Sequence, residues 1–123
     1  MPDFSLPGYD QSFGSRKVLI TTHNGPTAYV AGGETLNAST FGWGSFDKVS
    51  GSQSFNANNT GNYSAVPMYP VGQAPATANN AVVGQVPTGS NSVKLKWLAA
   101  NGTEAANNTN LSAEFVRLEM FGG

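Results

Sequence analysis

The one side chain in this 123-residue chain suited to carrying a proton near neutral pH is His23, the only histidine. A hydrolytic triad would have to be built on it, with Asp3, Asp10 or Asp47 orienting the ring and one of twelve serines as nucleophile. No Gly-x-Ser-x-Gly elbow accompanies it. His23 instead precedes Asn24-Gly25-Pro26, a strong turn signal, so the expectation is a solvent-exposed imidazole at a hairpin tip. One histidine and no cysteine leave only carboxylates as metal ligands, and the seven acidic residues are dispersed without the Asp-x-Asp spacing of a calcium loop. Paired carboxylates for glycoside hydrolysis would have to form across strands, as with Glu114 and Glu119. The residues therefore predict no catalytic site, no metal and no cofactor.

Binding chemistry has more to work with. Phe41-Gly42-Trp43-Gly44-Ser45-Phe46 sets three aromatic rings among glycines. An exposed ring of this kind, with Tyr29, Tyr63 and Tyr69 as companions, is a platform on which a pyranose face can stack. The competing reading makes Trp43 a core residue over which the flanking glycines let the backbone pass closely, and it is the stronger of the two.

Composition narrows the classes further. Six Lys plus Arg against seven Asp plus Glu give a formal net charge of −1, and only 11% of residues are charged. A phosphate backbone is bound through a basic stripe, whereas the basic groups here are limited to Arg16-Lys17 and Lys94/Lys96, so no nucleic-acid partner is expected. The absence of cysteine rules out a disulfide framework and a thiolate nucleophile. The first eight residues lack a basic segment followed by an apolar run, so they do not read as a signal peptide, and no run reaches membrane-spanning length. Thirteen Asn, twelve Ser, ten Thr and fifteen Gly supply the polarity instead, a turn-rich composition that also generates six Asn-x-Ser/Thr triplets, at Asn37, Asn58, Asn62, Asn101, Asn107 and Asn110. Without a secretory signal these read as a by-product of composition.

The elements that must position such residues read as short strands. Val93, Leu95 and Trp97 alternate with Lys94 and Lys96, and Val116, Leu118 and Met120 alternate with Arg117 and Glu119, each run half buried and half wet. Separated by a polar stretch, the two read as a C-terminal β-hairpin, with Leu98, Phe115 and Phe121 on the faces turned away from the core; a helix over Leu111 to Met120 with Ser112 as N-cap is the weaker alternative. Val18 to Thr22 and Thr27 to Ala31 flank the Asn24-Gly25-Pro26 turn and read as a second hairpin, from Arg16 to Ala31. Thr35 to Phe41 reads as a helical turn or irregular crossing, Ser45 to Ser50 as a strand, Gln53 to Ala57 as a strand before an Asn58-Asn59-Thr60-Gly61 turn, Tyr63 to Tyr69 as extended, and Ala81 to Val86 as a strand-like island before a Thr88-Gly89-Ser90-Asn91 turn. Four of the seven prolines fall from Pro67 to Pro87, which marks a sheet edge or extended connection. Residues 1 to 15, with Pro2, Pro7, Gly8 and Gly14 among Phe4, Leu6, Tyr9 and Phe13, show no period and read as an extended arm rather than a strand. Seven or eight short antiparallel strands over residues 16 to 123 make one all-β domain, a β-sandwich of jelly-roll or immunoglobulin-like type with a closed barrel as the alternative, long enough to take roughly two thirds of its unfolded surface out of water.

Taken in order from residue 17 to 123, Gly33-Glu34-Thr35-Leu36-Asn37-Ala38-Ser39-Thr40-Phe41-Gly42, Lys94-Leu95-Lys96, Gly102-Thr103-Glu104 and Asn110-Leu111-Ser112-Ala113, with the end at Gly122-Gly123, resemble small virion proteins of tailed bacteriophages, in particular head decoration or cement proteins. The resemblance is one of pattern and carries no diagnostic motif. It implies a homo-oligomeric β-sandwich, a dimer or trimer, made in the host cytoplasm. Such a protein is carried on the outer surface of the capsid, binds the major capsid protein and bridges neighbouring capsomers, often with an extended terminal arm. It brings no catalytic residues. On that reading Phe4, Leu6, Tyr9 and Phe13 of the arm and the outward Leu98, Phe115 and Phe121 make the partner contacts. The alternatives are a carbohydrate- or receptor-binding module of a phage tail or fibre, working through Tyr29, Trp43, Tyr63 or Tyr69, and a self-assembling tube or surface-layer subunit.

Overall fold

The computed structural model describes residues 4–13, 16–55, 63–70, 75–83 and 90–123, with 4–13 described by their backbone. They form eight strands: β1 (Phe4–Phe13), β2 (Arg16–Asn24), β3 (Glu34–Asn37), β4 (Phe46–Gly51), β5 (Tyr63–Pro70), β6 (Ala81–Val83), β7 (Ser92–Ala99) and β8 (Phe115–Gly122), with one 3₁₀ turn at Ala38–Phe41. These strands build two four-stranded antiparallel sheets, β1-β2-β8-β4 and β3-β7-β5-β6, and the expected all-β sandwich is what they make.

The alternation read in the C-terminal strands is correct, but their partnership is not. Val93, Leu95 and Trp97 of β7 and Val116, Leu118 and Met120 of β8 are all fully buried. Rather than pairing as a hairpin, β7 lies between β3 and β5 in one sheet, and β8 lies between β2 and β4 in the other. Two strands that each bury one face can satisfy it side by side or face to face. The fifteen residues between them, 100–114, are long enough to cross from one sheet to the other, so the two apolar stripes meet across the core. Leu19, Leu36, Phe46, Val49, Ala65 and Tyr69 complete that core from both sheets. Each fully buried large side chain contributes about 1.5–3 kcal/mol.

The N-terminal hairpin is also corrected. After Asn24 the chain leaves the sheet, and β2 pairs instead with β1 and β8. The run around Tyr29 stays outside both sheets because its backbone is bonded elsewhere: Tyr29 N–H donates to Thr109 O at 3.0 Å, and Tyr29 O accepts Asn108 N–H at 2.7 Å. Residues 4–13, expected as an arm, are an edge strand, with its ladder to β2 broken between Ser5 and Tyr9 where Pro7 and Gly8 stand. Proline cannot donate to a ladder, and an irregular edge resists pairing with stray strands. The side chains of Phe4, Leu6, Tyr9 and Phe13 lie outside the described residues, as do the Asn58–Gly61 turn, Val86, Thr88 and Gly89.

The flank where β4 meets β5 is stitched shut. The Tyr69 hydroxyl accepts Val49 N–H at 2.9 Å and donates to Val49 O at 2.8 Å. Beyond β4, Ser52 O accepts Ala65 N–H and Ser54 N–H donates to Tyr63 O, so the chain steps from one sheet onto the edge of the other. Pro67 sits in β5 opposite Leu95 of β7, next to the pairing of Met68, Tyr69 and Pro70 with β6, and as a proline it offers the ladder no N–H.

Candidate functional site

The residues with the most chemistry gather inside the sandwich, where they tie one sheet to the other. In β2, Leu19, Thr21 and His23 face inward by strand alternation. In β3, Glu34 shares the inward face with Leu36. It is delivered there by Gly32 and Gly33, whose φ values of 100° and 115° turn the chain sharply in a region that side-chain-bearing residues avoid. Trp97 comes inward from β7. Glu34 Oε1 then lies 2.7 Å from His23 Nε2 and accepts Trp97 Nε1–H at 3.0 Å. A carboxylate can only accept, so Nε2 carries the hydrogen in this pair. His23 is 0% exposed, against the expectation of a solvated ring at a hairpin tip.

A second carboxylate works beside the first. Glu104, in the crossing between the sheets, accepts the Tyr29 hydroxyl and Gly32 N–H, each at 2.7 Å, with Lys96 Nζ 3.9 Å from its other oxygen. The Tyr29 hydroxyl in turn accepts Trp97 N–H at 3.3 Å. Burial, the Tyr29–Glu104 hydrogen bond and two nearby carboxylates push the Tyr29 phenol well above its ordinary value, outweighing the Trp97 N–H. Burial pushes the Glu104 carboxyl up, but the Tyr29 hydroxyl, Gly32 N–H and Lys96 together outweigh it and hold it below the usual range. A depression of about 260 Å³ adjoins this cluster, lined by Pro26, Ala28, Val30, Gly33, Glu34, Thr35 and Lys94. It is smaller than the pockets that hold drug-sized ligands.

The structure brings few of the expected site residues together. Trp43 is a core ring packed edge-on to Phe46 at 6.1 Å and tilted against Phe41 at 5.7 Å. Tyr29 and Tyr69 are buried as well, and Tyr63 is half-buried, so these four do not make an exposed stacking platform. Glu114 is buried and accepts Ser54 Oγ–H at 2.8 Å, whereas Glu119 lies on the outer face of β8, so the two carboxylates do not converge on one bond. Among the described residues no three His, Cys, Asp or Glu side chains cluster to hold a metal.

Leu98, Phe115 and Phe121 do point away from the core, each half-buried. They do not form one patch, because Leu98 is on the outer face of the β7 sheet and the two phenylalanines are on the outer face of the other. Phe115 pairs with Phe55 at 5.4 Å, and Lys48 Nζ stands 5.7 Å from the Phe121 ring centre. Phe55, 46% exposed, is an addition the sequence reading did not single out. The Glu34 and Glu104 pairings were also missed. The inward parity of Glu34 with Leu36 was the available signal.

Comparison with protein families, with curated proteins and with solved structures returns no match to this chain.

Proposed function

We propose that this chain is a non-enzymatic structural protein that works through its outer surfaces, and specifically a decoration protein that binds the outside of a bacteriophage head and strengthens capsomer junctions. The observation that carries this reading is where the chemistry lies. The only imidazole is sealed against Glu34 in the core, and the tryptophans and two of the tyrosines are spent on packing. Among the described residues, the apolar side chains left for another molecule to touch include Phe55, Phe115 and Phe121 on one sheet face, Val82 and Val83 on the β6 edge of the other sheet, and Val30 outside both sheets. Such surfaces suit protein contacts of modest individual strength, which repetition over a symmetric shell multiplies through avidity. Partners on this reading are the major capsid protein and further copies of the chain.

The test is to mix the purified protein with expanded phage capsids that lack a decoration protein, pellet the shells and image them by electron cryomicroscopy. Co-sedimentation with ordered density at local symmetry axes is the expected result. A bare shell overturns the proposal and turns attention to tails and their receptors.

A further inference from the structure

We propose that Asn101 is a site of spontaneous backbone-assisted deamidation, that the second Asn-Gly pair, Asn24-Gly25, is protected, and that the product loosens the hold of Glu104 on the Tyr29 loop. In the chemical step the Gly102 backbone nitrogen attacks Asn101 Cγ. A C–N bond forms, ammonia leaves with the Gly102 amide proton, and a five-membered succinimide results. Water then opens the ring, giving aspartate if it attacks the side-chain carbonyl and isoaspartate if it attacks the main-chain carbonyl.

Both glycine N–H groups are held by a backbone carbonyl, but the two Asn-Gly pairs differ in exposure and in the room at the glycine. Asn101, Gly102 and Thr103 are exposed, and a Cβ placed on Gly102 would meet nothing within 4 Å, so the nitrogen has room to swing toward Cγ. Thr103 N–H donates to Asn101 Oδ1 at 3.0 Å, which puts a donor on the oxygen that gains negative charge as the nitrogen adds. The opposing restraint is one exposed turn bond, Gly102 N–H to Ala99 O at 2.8 Å, of the kind that opens by local fraying. Asn24, by contrast, ends a ladder strand opposite Phe115, and its Nδ2–H donates to Ser112 O at 3.3 Å. Gly25 N–H is held by Glu114 O at 3.0 Å, and its Cα is packed so tightly on Leu111 that no side-chain atom would fit. Its nitrogen cannot rotate onto Asn24 without unseating the chain.

The consequence follows from position. The turn at Ala99–Thr103 feeds directly into Glu104, which bridges to Leu98 and carries the bonds to Tyr29 and Gly32. Isoaspartate inserts an extra main-chain methylene into this turn, three residues before that carboxylate. The register that aims Glu104 at the Tyr29 loop is thereby disturbed.

The experiment is to age the purified protein at body temperature and mildly alkaline pH and to follow both asparagines by peptide mapping with isoaspartate detection, beside a short unstructured Asn-Gly peptide. Conversion at Asn101 at least about tenfold faster than at Asn24 is expected, since only Asn101 can reach the attacking geometry. The isoaspartate fraction, separated by ion exchange, should show faster amide exchange at Gly32 than fresh protein. Equal rates at the two sites, or an Asn101 that stays intact while the free peptide converts fully, overturns the site. Unchanged Gly32 exchange in the isoaspartate form overturns the coupling to Glu104.

Discussion

Replacing Glu34 by alanine tests the inter-sheet lock directly. The substitution takes away the oxygen, Glu34 Oε1, that accepts both His23 Nε2–H and Trp97 Nε1–H, on residues that are fully buried. Losing the acceptor of a buried donor costs about 1–3 kcal/mol, so the pair sets a loss of about 2–6 kcal/mol. For a domain of this length, that lowers the melting midpoint by roughly 8–24 °C. Glu34→Gln keeps a carbonyl oxygen in place and loses only the charge on two hydrogen bonds, a cost of about 1 kcal/mol. Urea unfolding of wild type and both variants, with tryptophan fluorescence as the probe, measures the difference. Alanine and glutamine variants of equal stability would refute the reasoning, because water entering from the neighbouring depression would then be an adequate substitute for the carboxylate.

Tyr69→Phe removes both bonds that join β5 to Val49 of β4, and a loss of about 1–3 kcal/mol in the same urea assay is expected. Alkaline pH should weaken the fold: Tyr29 stays protonated in the folded chain but ionises in the unfolded chain near its ordinary value of 10.0, so stability present below that pH falls as pH rises beyond it. Tyr69, raised by burial, adds to the same slope, and Tyr29→Phe should flatten it. The acid limb has the opposite sign, since Glu104 is held low: its contribution is present above about pH 4.5 and lost as pH falls further, which Glu104→Gln should abolish in a pH series of melting curves. Trp43→Ala should cost about 3–5 kcal/mol, as a buried aromatic does, and tryptophan fluorescence of the wild type should not respond to added sugars.

The fold was largely legible in strand alternation, because a period of two in Val93 to Trp97 and in Val116 to Met120 has one physical cause, a sheet with a single buried face. Alternation does not say which strand lies beside which. The hairpin expected from β7 and β8 failed for that reason, since facing strands and paired strands write the same pattern. His23 was misread because a turn signal follows it directly, yet it shares inward parity with Leu19 and Thr21, and a partner, Glu34, was available on the other sheet. Glu34 could have been found from its spacing to Leu36. Glu104 could not, because its partners, Tyr29 and Gly32, are more than seventy residues away and sit in no regular element.

The order of the first sheet has a mechanical consequence. β2 runs antiparallel to both β1 and β8, so β1 and β8 point the same way on either side of it. The chain enters β1 level with His23 and leaves β8 level with Lys17, at opposite ends of that shared strand. Tension transmitted along the polypeptide through these two points pulls along the strand axes. The ladder bonds of β2 to β8, and those of β1 to β2 on either side of the Ser5–Tyr9 irregularity, are therefore loaded in shear rather than peeled open one bond at a time.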